Sequence, residues 1–241
     1  MRSLLLSLAV CAATATAASA VTTARFTGDQ TFVDLCSASD AGAGGSGGQA
    51  CEFALGEIRA GNAGPAGDWE VGVQNPPGAP VDVRQFAWGN GQGYGFTLAY
   101  VAAGGLLSMT VDGVTSATSG VDLTDMRSMF VRTRSSDAPE GSASLTGLTL
   151  NGFALGDNVP AAGEGIGAAY LQVFDFDFAS DWTLAGVTRF AWSGDLPAGS
   201  RLGSQIKLTN LAPVPLPAAA WLLLGGVAAL GAASRRRRAA A

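Results

Sequence analysis

Phe96-Thr97-Leu98-Ala99-Tyr100 and Leu107-Ser108-Met109-Thr110-Val111, the second followed by Asp112-Gly113-Val114, decide the fold. In both runs every second residue is large and apolar. An extended chain with that spacing buries one face and wets the other. Asp112-Gly113 tolerates the positive φ angles that a two-residue hairpin needs, so the chain is expected to reverse between Val111 and Val114.

Working outward, Phe174, Phe176 and Phe178 alternate with Asp175 and Asp177. Further strand-like segments are Thr31–Leu35, Glu52–Arg59, Trp69–Val73, Val81–Trp88, Ser128–Thr133, Ala143–Asn151, Trp182–Ala191 and Leu202–Leu208. Asn90-Gly91 and Asn151-Gly152 repeat the turn chemistry, and Pro76-Pro77-Gly78 breaks the chain after Val73. Asp122 to Ser128 reads as a turn or two of helix, and no long helical periodicity appears outside the two ends. About eleven short strands joined by tight turns predict an all-β domain over residues 21–210, a two-sheet sandwich or jelly-roll-like wrap. Glycine, 34 of 241 residues, is about twice ordinary usage and suits such turns. Phe86-Ala87-Trp88 and Phe190-Ala191-Trp192 echo one another, as two strands ending alike at a sheet edge would.

The ends have a different character. Residues 1–20 read as a secretory signal peptide: Arg2 supplies the positive start, Leu4 to Ala13 the apolar core, and Ala18-Ser19-Ala20 the small-residue cleavage site. The mature chain would begin at Val21; a buried N-terminal helix is the other reading. Cys11 falls inside the leader behind Val10, unlike a lipidated cysteine. Cys36 and Cys51 remain, and an even pair in an exported chain predicts a disulfide. It would close a loop holding the glycine-rich run Ala41 to Gly48 and stabilise by about 3 kcal/mol on the chain-entropy account. Two free thiols packed apart are the alternative.

At the other end, the 19 residues from Leu216 to Ser234 carry no charge. As a helix, with its regular part over 219–234, this segment nearly spans a bilayer core of roughly 30 Å. Trp221 sits near one edge, and Arg235, Arg236, Arg237 and Arg238 would hold the 235–241 tail in the cytoplasm. Pro215 and Pro217 keep the chain extended just outside, within the 211–218 linker.

Val214-Pro215-Leu216-Pro217-Ala218, the glycine-containing apolar segment and the arginine run together resemble the VPLPA-type variant of the PEP-CTERM sorting signal. The likeness covers about the last 28 residues. It implies processing by an exosortase, a membrane-embedded protease-transpeptidase, in a Gram-negative host. The chain would be held transiently in the inner membrane, then left at the cell surface or released. A plain single-pass anchor is the alternative. The middle is similar to the choice-of-anchor surface domains, through Trp88-Gly89-Asn90-Gly91 before Phe96-Thr97-Leu98 and through the Phe190 to Gly194 and Gln205 to Leu208 segments. That likeness implies a β-rich ectodomain and brings no catalytic residue.

Charge and residue usage narrow the chemistry. Without Arg2 and the four tail arginines, nine cationic residues face nineteen acidic ones, a net of −10. An acidic domain repels nucleic acid. The chain has no histidine, which excludes a Ser-His-Asp triad and the commonest zinc ligand. Glycoside hydrolysis needs two facing carboxylates, and Glu52, Glu57, Glu70, Asp175 and Asp177 are available; the aspartates read instead as a solvated strand face. A structural calcium ion is the one cofactor the loop oxygens leave open, at Gly28-Asp29, Asp34, Gly156-Asp157-Asn158 or Ser180-Asp181. For a ligand, Trp88, Asn90, Tyr94 and Trp192 (with Trp182) are the residue types that hold saccharides near turns, although burial of the tryptophans is the blander reading. The expectation is an exported, non-catalytic structural or interaction protein. The alternative is a carbohydrate-binding module for extracellular polysaccharide, and a glycosidase would need a carboxylate pair across a cleft.

Overall fold

A computed structural model of the protein describes residues 21–39, 51–61, 69–75, 80–135, 141–155, 167–197, 199 and 201–212. The expected leader with Ala18 and Ala20, the Pro76–Gly78 break, Gly156–Asn158, the Val214–Ala218 motif, the 219–234 helix and Arg235–Arg238 lie outside these residues. Among the described residues no helix is long and apolar enough to cross a membrane.

The chain runs β1 (Thr22–Thr27), α1 (Asp29–Ser39), β2 (Glu52–Ala60), β3 (Val71–Gln74), β4 (Pro80–Arg84), β5 (Gly93–Val101), β6 (Leu106–Val111), β7 (Val114–Thr118), β8 (Ser128–Ser135), β9 (Ser142–Leu150), β10 (Phe153–Ala154), β11 (Ala168–Phe174), β12 (Trp182–Ala191) and β13 (Leu202–Thr209). Two antiparallel sheets form a sandwich. The larger is ordered β1-β11-β8-β13-β2-β3-β4 and the smaller β10-β9-β12-β5-β6-β7. Ile58, Val131, Leu171 and Ile206 from the first meet Leu98, Met109, Leu145, Leu184 and Phe190 from the second, all fully buried. The deciding hairpin is as expected. Phe96 pairs with Val111, Val111 with Val114, and Asp112 and Gly113 take φ of 45° and 85°.

The sheets are stitched at one edge. Ser116 of β7 donates to the Asp82 carbonyl and accepts from the Val73 amide at 3.0 Å, while Ala117 donates to the Asp82 carboxylate at 2.9 Å. Two of these bonds use the Asp82 carbonyl of β4 and the Ala117 amide of β7, backbone groups of edge strands, while the Val73 amide lies beside the register shift between β3 and β4.

Four expectations need correction. Thr31–Leu35 is not a strand but part of α1. Its Phe32 and Cys36 stand four apart and sink onto the outer face of the larger sheet, while Val33 points out. A second apolar cluster of Phe32, Cys36, Cys51, Phe130, Tyr170 and Leu211 lies there, closed by the Cys36–Cys51 disulfide. The Phe174–Phe178 alternation is also not a strand. β11 ends at Phe174, Asp175 turns to φ 59°, and Asp177 caps the turn by accepting from the Ala179 amide and the Ser180 hydroxyl. The segment from Val81 leaves the sheet at Arg84, so Phe86-Ala87-Trp88 is not a strand end. Asp122 to Ser128 makes a single turn, with the Asp122 carboxylate accepting from the Thr124 amide and hydroxyl, rather than helix. β1, β7, β10 and β11 were not among the expected strands.

Candidate functional site

The four ligand candidates come together at one end of the sandwich, partly exposed. Trp88 meets Phe190 at 4.7 Å and Tyr94 at 5.4 Å, both edge to face, and Phe86 packs on both Trp88 and Tyr94. Trp88 Nε1 donates to Glu70 at 2.8 Å; Tyr94 Oη donates to Gln92 and accepts from the Gly89 amide. Asn90 clasps the backbone of Trp192, its Nδ2 donating to the carbonyl at 2.7 Å and its Oδ1 accepting from the amide at 3.0 Å. The Gly91 amide donates to Phe190 at 2.8 Å. The repeated Phe-Ala-Trp segments are therefore partners, joining the loop after β4 to the end of β12. Phe86, Trp88, Tyr94 and Phe190 pack mostly edge to face, and Asn90 has both amide atoms engaged, so the cluster ties the two segments together.

Three of the carboxylates weighed for glycoside hydrolysis, Glu52, Glu57 and Glu70, accept internal hydrogen bonds. Glu57 accepts from Gln205 Nε2 at 2.7 Å on one oxygen, and from Gln74 Nε2 at 2.7 Å and Arg59 Nη2 at 3.0 Å on the other. Arg59 Nε also lies 3.0 Å from Glu57, an ion-pair contact at an angle too poor for a hydrogen bond. Glu70 is fully buried beside Trp88. Glu52 accepts from Lys207 Nζ at 2.7 Å. Its carboxyl is pushed up because burial penalises the charge, an effect Lys207 only partly offsets. Asp29, Asp34 and Asp181, weighed as calcium ligands, accept from Arg132, Gln30 and the Ala102 amide respectively. Among the described residues no group of three or more His, Cys, Asp or Glu is placed to hold a metal ion.

A polar trough that residue types alone did not single out lies on the outer face of the larger sheet, beside α1. Alternation puts Arg132 and Arg134 of β8, Gly203, Gln205 and Lys207 of β13, and Glu57 and Arg59 of β2 on that face, opposite core residues such as Val131, Ile206 and Ile58. Register then sets cross-strand rows. Arg134, Gly203 and Arg59 stand side by side, and next to them Tyr170, Arg132, Gln205, Glu57 and Gly72.

Two cavities open along this face. One, of about 190 Å³, is lined by Glu57, Arg59, Arg132, Arg134, Gly203 and Gln205. The other, of about 260 Å³, lies between α1 and the sheet and shares Arg132 with the first. Most of the cations here are held firmly. Arg132 donates to both Asp29 oxygens and to Gln205, and Tyr170 donates to Asp29 at 2.6 Å. Burial would raise the Asp29 carboxyl, but the bonds from Arg132 and Tyr170 outweigh it and hold it below the usual range. Burial keeps the Tyr170 phenol protonated, its value raised further by the bond to Asp29. Arg59 lies on the Trp69 ring with Cζ 3.9 Å from its centroid, and Trp69 fits only because Gly72 beneath it has no Cβ, which would fall 2.7 Å from the ring. Local signals for the trough exist in the sequence as Arg132-x-Arg134, Glu57-x-Arg59 and Gln205-x-Lys207.

Compared with known proteins, the chain matches no protein-family model and no curated protein.

Proposed function

We propose that this chain is an exported, non-catalytic structural or interaction protein of the cell envelope or extracellular matrix. On this reading residues 1–20 carry it across the inner membrane. An exosortase-type protease-transpeptidase then cuts near Val214–Ala218 while the 219–234 helix and Arg235–Arg238 hold it, and the β domain is left at the surface or released. The observation that carries the reading is the Cys36–Cys51 bridge. It closes an apolar cluster that docks α1 on the sheet, and such structural disulfides belong to oxidising compartments. The engagement of Glu52, Glu57 and Glu70 in internal bonds supports the non-catalytic part. The same reading takes the wrap, which passes between sheets at β4–β5, β7–β8, β8–β9, β10–β11, β11–β12 and β12–β13, as jelly-roll-like.

The test is the intact mass of the mature protein from its native host, with and without the sorting protease. The expected product lacks residues 1–20 and the tail beyond the motif, only when the protease is present, and weighs two hydrogens less than the reduced chain. A tail retained in both strains sinks the sorting step and leaves a single-pass membrane protein. A full-length leader and free thiols sink export itself.

A further inference from the structure

We propose that the trough over Gly203, from Arg134 and Arg59 past Arg132 to Lys207, binds an acidic glycan chain through its carboxylate or sulfate groups. The ligand class rests on the exported reading above; the site itself rests on the geometry that follows.

The first observation is the notch. Gly203 separates Arg134 from Arg59 in one cross-strand row. Neighbouring strands are about 4.8 Å apart, so the two arginine backbones stand about 10 Å apart. A Cβ on Gly203 would meet only the Ile58 carbonyl, at 3.3 Å, and no side chain within 4 Å. The space between the arginines is open, and an oxyanion there can be gripped from two sides by guanidinium forks.

The second observation is charge. At this cavity three guanidiniums face one carboxylate, Glu57, which already accepts from Arg59, Gln74 and Gln205. Arg134 is exposed, and its charge is felt by the Asp29 carboxyl. In a domain whose net charge is −10, four of the nine cations, Arg59, Arg132, Arg134 and Lys207, stand along this face against the three carboxylates Glu57, Asp29 and Glu52 that pair with the first, second and fourth. Arg59 and Arg132 are fixed by Trp69, Glu57, Asp29 and Gln205 before any ligand arrives, which lowers the entropic cost of binding.

The third observation is length. The second cavity shares Arg132 with the first and reaches Lys207, with Asp29 and Glu52 pairing those two cations along it, so the trough has the length for an extended chain whose anionic group sits at the Arg134–Arg59 end. A glycan with about one charge per sugar meets less long-range repulsion from an acidic domain than nucleic acid does, whose duplex carries one charge per roughly 1.7 Å.

The experiment uses the mature protein with its disulfide intact, in affinity electrophoresis and calorimetry against polygalacturonate, heparin and neutral dextran. Binding to polygalacturonate identifies carboxylate as the anchor, and binding to heparin identifies sulfate. Dextran is expected not to bind. Arg134→Glu is expected to weaken the anionic interaction at least about tenfold, with Arg134→Ala weaker than wild type and Arg134→Lys between. The melting temperature should hold in Arg134→Lys and fall little in Arg134→Ala, because among the described residues Arg134 acts only through its charge, as the weakest of the influences that lower the Asp29 carboxyl. No binding to either polyanion, equal binding to dextran, or binding that survives Arg134→Glu and Arg134→Ala overturns the proposal. The mass experiment is unaffected by any of these outcomes.

Discussion

Asp29→Ala should destabilise the domain by about 2 kcal/mol at neutral pH, and the loss should vanish in strong acid. Asp29 accepts two charge-assisted bonds from Arg132 and one from the Tyr170 phenol. Bonds to charged groups contribute about 1.5–3 kcal/mol when sheltered. The Arg132 side chain is only 9% exposed, but that of Asp29 is 47% exposed, and solvent screening reduces the gain to about 2 kcal/mol in total. The sign with pH follows from the depressed Asp29 carboxyl. A group whose folded value lies below its unfolded one stabilises above the unfolded value, about 4, and loses that contribution as pH falls through the folded value. Urea unfolding followed by tryptophan fluorescence, at pH 7 and at about pH 2, measures both limbs. A melting-temperature drop of roughly 4–8 °C is expected at neutral pH for a domain of this size. Glu52, whose raised carboxyl contributes with the opposite sign, is present in both proteins and cancels in the difference. Combining Asp29→Ala with Arg132→Met should give a coupling energy of about 1 kcal/mol or more. An equal loss at both pH values, or no coupling, would refute the assignment of this stability to the ion pair.

Three further perturbations test other parts of the structure. Replacing Cys36 and Cys51 together with serine should cost about 3 kcal/mol, and reductant should lower the urea midpoint of the wild type but not of the variant. Gly56→Ala places a Cβ 2.7 Å from Met109 Cε and 2.8 Å from Leu98 Cδ1, between the sheets, and should cost about 1–3 kcal/mol by overpacking. Adding Met109→Ala should recover part of that loss, and strict additivity would show that the clash is not the cause. Asn90→Ala removes both bonds to the Trp192 backbone and should cost about 1 kcal/mol, with faster hydrogen exchange at the Trp192 amide; unchanged exchange there would remove the clasp as its role.

The sandwich was legible where one sheet face is buried and the other is wet. β5 and β6 alternate strictly in sequence and in burial, and Asp112-Gly113 turns as its chemistry demands. Legibility failed where that asymmetry is lost. β11 is buried on both faces, inward by the core and outward by the α1 cluster, so Ala168 to Val173 shows no alternation. The neighbouring Phe-Asp-Phe-Asp-Phe run does alternate, but Asp175 and Asp177 stabilise a turn there through backbone conformation and capping. For α1 the β-branched and aromatic residues Thr31, Phe32 and Val33 favour a strand locally. The tertiary contacts of Phe32 with Phe130 and Tyr170, at 5.1 and 5.5 Å, together with the bridge at Cys36, favour a helix and prevail.

The aromatic cluster was visible as residue types, and burial of its tryptophans was one of the two readings, but which chain segments it joins was not visible. Trp88 and Phe190 are far apart in sequence and meet only after β5 and β12 pair. The trough was hidden for a sharper reason. Its three central strands, β8, β13 and β2, are neighbours in space yet come from distant parts of the chain, so nothing local in sequence shows that Gly203 falls between Arg134 and Arg59. What places it there is hydrophobic. Leu202, Ile206 and Leu208 alternate into the core on β13, as Ile58 and Ala60 do on β2 and Met129 and Val131 on β8. A slip of β13 by one residue would turn Gln205 and Lys207 inward and Ile206 and Leu208 outward, at a cost no surface contact could offset. The apolar alternation that builds the core therefore also fixes the spacing of the arginines on the opposite face, and the notch at Gly203 is a consequence of core packing.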